Sequence, residues 1–95
     1  MTLRILEVVA VLMEAPEGEV YGLQVMQQTG LASGAAYPLL EQMKQAGWVT
    51  GRWEDIDEHK EGRRARQYYR ITPDGVVAAR QAMSRLPLSL TGKEA

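Results

Sequence analysis

The chain predicts a mainly α-helical domain with a small β component (α+β), on three observations. Apolar residues recur at helical spacing in four stretches. Two β-forming runs, 48–53 and 65–72, flank a polar segment. Proline and glycine fall between these stretches rather than within most of them.

Thr2 is suited to cap a first helix running to about Glu14, with Ile5, Leu6, Val9, Leu12 and Met13 on its main apolar face. Leu3 and Val11 stand off that face. In so small a protein, apolar residues beyond one stripe predict a second surface, and another copy of the chain is the simplest. Ala15 to Glu19 contains Pro16 and Gly18 and reads as a loop. Val20 and Tyr21 make a very short strand. A helix of about two turns follows from Gly22 to Thr29, burying Leu23, Val25 and Met26 and leaving Gln24, Gln27 and Gln28 polar.

Thr29 and Gly30 end that helix, Leu31 fills the corner and Ser33 caps the next, which runs to Gly47 with Ala36, Leu39, Leu40 and Met43 inward. Two helices joined by so short a turn fit a helix-turn-helix. The third helix opens on Gly34, Ala35 and Ala36, almost without side-chain bulk, and then Tyr37. A helix so bare at its N-terminus can bring its amides close to a flat anionic partner such as a phosphate, although the same small residues suit tight helix packing. Pro38 gives up one helical hydrogen bond, so either the helix proper starts near Tyr37 or its first turn is loosened.

After Gly47 the pattern changes to strand. Trp48 to Trp53 and Ala65 to Thr72 form a two-stranded hairpin around residues 54–62, all polar or charged there except Ile56 and Gly62. Tyr69 and Ile71 take one face of the second strand, Tyr68 and Arg70 the other. Thr72-Pro73-Asp74-Gly75 starts the last helix, whose stripe is Val76, Ala79, Ala82, Met83 and Leu86. Val77 lies off that stripe, and with Leu3 and Val11 it forms the expected dimer interface. Residues 1–86 are thus one domain, and 87–95, without periodicity, a flexible tail.

With 95 residues the chain makes one domain. It has no cysteine, which excludes disulfides and thiol chemistry, and its single histidine, His59, cannot build a metal site unaided, so no cofactor or metal is expected. No apolar run approaches a membrane span, and a soluble, cytoplasmic protein is expected. Nothing in the sequence offers a nucleophile with its base, a phosphate loop or facing carboxylates, so it is not expected to be an enzyme. Net charge is −1, yet positive charge is concentrated: residues 60–70 carry Lys60, Arg63, Arg64, Arg66 and Arg70 against Glu61 alone. Residues 1–43 hold one basic side chain and five acidic ones.

The order helix, short strand, helix, turn, helix, hairpin, helix is that of a winged helix-turn-helix with a two-stranded wing and a C-terminal dimerisation helix. The residues Tyr21-Gly22, Ser33-Gly34, Tyr37-Pro38, Leu40, Gly47-Trp48-Val49, the arginine-rich turn into Tyr68-Tyr69-Arg70-Ile71-Thr72, and Gly75 resemble the PadR family of transcriptional regulators over about residues 2–86. The resemblance implies a dimeric repressor whose third helix enters the DNA major groove and whose wing meets the backbone or minor groove. It also implies pairing through the first and last helices and, as in several members, a small aromatic or drug-like ligand at the dimer interface. Ala36 stands where the family usually has a larger apolar residue, and the short C-terminal region is similar to the compact subgroup.

On this reading Ser33, Gly34 and the first helical amides hold a phosphate, Tyr37 donates its hydroxyl to another, and Ala35 and Gln42 or Gln45 reach base edges. Arg63, Arg64 and Arg66 neutralise phosphates at the wing. Each has a plainer alternative: the arginines pair with Glu54, Asp55, Asp57 and Glu58, and Tyr37 packs under the wing. Trp48, Tyr69 and Ile71 are expected in the core, and Trp53 is expected to cover the core edge rather than line a ligand pocket. The acidic first half supports a rival of another class, a winged helix that binds a protein partner and not DNA.

Overall fold

The computed structural model describes residues 1–15 and 17–86, so the expected tail lies outside the described residues. The order is α1 (Leu3–Met13), β1 (Val20–Tyr21), α2 (Gly22–Thr29), α3 (Ser33–Gln45), β2 (Val49–Trp53), α4 (Glu58–Glu61), β3 (Gln67–Ile71) and α5 (Pro73–Met83). The fold is mostly helical with a small three-stranded antiparallel sheet, a winged helix. Ile5, Leu12, Leu40, Met43, Val8 and Val25 are the largest fully buried side chains, where helices and sheet meet. Each such burial contributes roughly 1.5–3 kcal/mol before entropic costs.

The Thr2 hydroxyl accepts from the Ile5 amide (3.1 Å), as its position before α1 predicts. The buried arc of α1 is Ile5, Val8, Val9, Val11 and Leu12. This corrects two expectations. Val11 is only 8% exposed, because α2 packs beside α1, so it is core and not a dimer contact. Met13, expected inside, is exposed, as is Leu3. In α2 only Gly22 and Val25 are buried, and Leu23 turns outward.

α3 is continuous from Ser33, so its start does not slip to Tyr37. Ser33 is not the cap: Ala32 holds the extended cap conformation, no side chain caps the end, and the Ala32 carbonyl accepts from Ala35 and Ala36 (3.0 and 2.9 Å). Pro38 lies inside the helix, at an exposed position, and forgoes one helical hydrogen bond. Ala36, Leu40 and Met43 are the buried stripe.

β2 and β3 form the expected hairpin, with Val49 opposite Ile71 and Trp53 opposite Gln67. β1 adds a third strand to it, Val20 opposite Tyr69 and Tyr21 opposite Tyr68, so the sheet order is β1-β3-β2. The wing tip contains the single turn α4, where Asp57 accepts from the His59 and Lys60 amides (3.1 and 3.2 Å) and Gly62, at φ +71°, closes it.

The Thr72 hydroxyl accepts from the Gly75 amide (2.9 Å) and donates to the Gly47 carbonyl (2.7 Å), binding the start of α5 to the end of α3. Gly75 lies against the Trp48 carbonyl, with no room for a β-carbon. No helix among the described residues is long and apolar enough to cross a membrane, and none of their His, Asp and Glu clusters could hold a metal ion.

Candidate nucleic-acid interface

A concavity of about 650 Å³ opens between the start of α2, the start of α3 and the inner side of the wing. Tyr37, Trp53, Leu23, Arg64 and Arg66 line it. The opening of α3 and two of the three predicted wing arginines therefore border one space.

Tyr37 is half-exposed, and one edge of its ring lies on Gly22, where even a β-carbon would overlap the ring. The Tyr21-Gly22 pair thus has a packing reason that only the folded chain reveals. Ser33, Gly34, Ala35 and Gln42 are all exposed on α3, on turns away from the Ala36, Leu40, Met43 stripe. A β-carbon at Gly34 would meet nothing within 4 Å among the described residues. The helix entrance is open to solvent.

The wing arginines differ in their commitments. Arg63 grips Glu54 in a two-pronged pair and so tightens the wing tip instead of reaching outward. Glu54 also accepts from the Arg66 amide (3.0 Å). The Arg63 guanidinium, then that amide, hold the Glu54 carboxyl well below its ordinary value, at about 2. Arg63–Glu54 is the one ion pair formed across the tip among the described residues, because Asp57 caps α4 and Glu58 accepts from the Ala65 amide (2.6 Å). Arg64 is exposed, and neither it nor Arg66 makes an ion pair among the described residues. Arg66 lies over the Tyr21 ring at 4.2 Å, a contact worth about 0.5–1 kcal/mol at an exposed site.

The outer side of the sheet is organised by Glu19. It accepts from Arg52 through two contacts, one of 3.1 Å, and Arg70 stands 3.8 Å away. The Arg52 hydrogen bonds lower the Glu19 carboxyl from its ordinary range. Arg70, counted in the basic cluster, is therefore turned to the back of the wing. A second hollow there is lined by Glu14, Glu17, Glu19, Glu54 and Asp55, with Arg52 among them.

On the far side of the molecule, Leu6, Val9, Ala10, Met13, Ala79 and Met83 line an apolar groove of about 500 Å³ between α1 and α5. Leu3 extends its α1 wall by one turn, and Val77 stands one turn before Arg80 on α5; both are exposed.

Trp53 is 65% exposed, so it does not cover the core edge as expected. By spacing alone Leu23 belongs in the core and Trp53 at its rim. Their shared place beside Tyr37 has no signature in sequence, because it depends on how far the wing overhangs α2.

A model of the transcriptional regulator PadR-like family matches residues 8–81. No curated protein matches the chain by sequence. Among solved structures, the fold is similar to Bordetella bronchiseptica BpsR, described for regulation of its DNA binding by 6-hydroxynicotinic acid, at TM-score 0.71 and 15% identity over 88% of this chain. The chain spans 54% of the BpsR chain, about half its length. It is also similar to a PadR family transcriptional regulator from Eggerthella lenta, at TM-score 0.69 and 19% identity over 88% of this chain and 70% of that one. A third likeness is to Sso10a-2, a DNA-binding protein from Sulfolobus solfataricus, at TM-score 0.61 and 18% identity over 83% and 74% of the two chains.

Proposed function

We propose that this chain, which belongs to the PadR-like family of transcriptional regulators, is a dimeric repressor that binds specific duplex DNA. α3 enters the major groove, and Arg64 and Arg66 of the wing meet the adjacent backbone or minor groove. The observation that carries this reading is the common concavity bordered by Tyr37 at the head of α3 and by Arg64 and Arg66. Exposed amides at the start of α3 and the Tyr37 hydroxyl supply phosphate contacts that fix register. Ala35 and Gln42 are the base-reading candidates, with a thymine methyl and an adenine edge as their natural partners. Arg63 supports the wing through Glu54 rather than touching DNA.

Two copies pair through the α1–α5 groove, with Leu3, Met13, Val77 and Met83 covered. The exposure of these apolar side chains around one groove supports the pairing, and covering them gives a two-fold partner that presents two α3 helices. A small aromatic ligand in this apolar groove fits the same surface. The domain proposed to bind is residues 1–86.

The test is gel mobility of the DNA upstream of the protein's own gene at two salt concentrations. A retarded band that weakens steeply with salt is expected, and Arg64→Ala with Arg66→Ala reduces affinity across sequences and lowers the salt slope by about 0.9 for each phosphate contact removed. No shift at low salt favours the partner-binding alternative, whose support is the acidic first half of the chain and the net charge of −1.

A further inference from the structure

Seven large apolar side chains are exposed among the described residues, and they form two groups. Leu3, Met13, Val77 and Met83 belong to the α1 and α5 surface. Leu23, Tyr37 and Trp53 line the concavity between helices and wing. The dimer accounts for the first group and leaves the second without a partner.

Strand alternation explains how Trp53 reaches this place. Val49, Gly51 and Trp53 share one face of β2, as Ile71, Tyr69 and Gln67 share the corresponding face of β3. At the root of the wing that face is core: Val49 is 2% exposed and Tyr69 4%. By Trp53 the strand has run past the helices, and the same face looks across open space toward Tyr37. The indole is thus a core-facing residue without a core. Arg64 and Arg66 beside it give the concavity a positive rim, while the one acid there, Glu58, accepts from the Ala65 amide.

We propose that Trp53 and Tyr37 hold one sugar–phosphate strand of the duplex between them, the indole ring against a deoxyribose and its N–H toward a phosphate. This rests on the DNA-binding reading above and adds to it a contact that is apolar and indifferent to sequence. A strand passing from the groove filled by α3 to the one met by the wing must cross this concavity. A duplex strand has both the anionic edge that the arginines favour and the apolar sugar face that the ring favours.

The experiment uses the full chain, a labelled duplex from upstream of its gene, and anisotropy titrations at several salt concentrations. Trp53→Ala is expected to weaken binding about tenfold and leave the salt slope unchanged, whereas Arg64→Ala lowers the slope by about 0.9. Tryptophan emission of the wild-type protein shifts on adding duplex, and that shift disappears in Trp53→Phe, in which Trp48 remains the reporter. Far-UV circular dichroism confirms that both variants fold, as substitution of a side chain 65% exposed allows. Unchanged affinity in Trp53→Ala, or a loss accompanied by a lower slope, overturns the inference while the DNA-binding reading stands. Absence of any wild-type complex at low salt removes both.

Discussion

Arg63 and Glu54, nine residues apart, meet through two nearly parallel contacts, Nη1 to Oε1 at 2.7 Å and Nη2 to Oε2 at 3.1 Å. The pair closes the tip of the wing and gives it a pH dependence. The folded Glu54 carboxyl titrates at about 2, below its ordinary 4.5, so its contribution is complete above pH 4.5 and is lost as pH falls toward 2. NMR titration of the Glu54 carboxyl is expected to show a midpoint near 2 in the native protein and a clearly higher one in Arg63→Ala, in which only the Arg66 contacts still hold it down.

Gly34 and Gly75 are both helical glycines with opposite surroundings. A β-carbon at Gly75 would collide with the Trp48 carbonyl and crowd Ile71, and backbone cannot swing aside. Gly75→Ala is expected to lower stability by about 1–3 kcal/mol in denaturant unfolding.

At Gly34 nothing among the described residues occupies that space. Gly34→Ala is expected to raise stability by about 0.4–1 kcal/mol, because the unfolded chain loses freedom. DNA affinity is expected to fall in the same variant, since the added methyl holds the backbone away from the phosphate. A melting curve and a mobility shift on one preparation check both directions.

On the proposed pairing, association rests on the α1–α5 groove and folding on Val11. Met13→Glu with Met83→Glu is expected to convert a dimer to a monomer in sedimentation at micromolar concentration without loss of helix content. Val11→Ala leaves the mass unchanged and lowers stability by about 2 kcal/mol, because it empties space in the core.

Where local chemistry decided the outcome, the sequence was readable. Thr72-Pro73-Asp74-Gly75 starts α5 as its cap, proline and acid require, and Ala36, Leu40 and Met43 are buried at their helical spacing. Neighbours that periodicity does not count shifted the rest. Val11 is buried because α2 flanks α1, while Leu23 and Met13 are exposed because no element among the described residues covers them. The pairing of β1 with β3 joins residues nearly fifty positions apart, and α4 rests on one aspartate cap inside a segment with a single apolar residue. In the candidate interface the exposed opening of α3 and the arginine cluster were visible from composition. What each arginine touches was not: Arg63 and Arg64 are adjacent in sequence, yet one is held by Glu54 and the other is free of ion pairs among the described residues.

β1 has only two residues, but it ties the wing to the start of α2 through Tyr21, whose ring meets Tyr68 edge-on at 5.5 Å and carries Arg66 above it. On the DNA reading, the gap between reading helix and wing is therefore a fixed gauge set before any encounter. A duplex of another groove width must deform to fit it. Base pairs that no side chain touches then influence affinity through their stiffness.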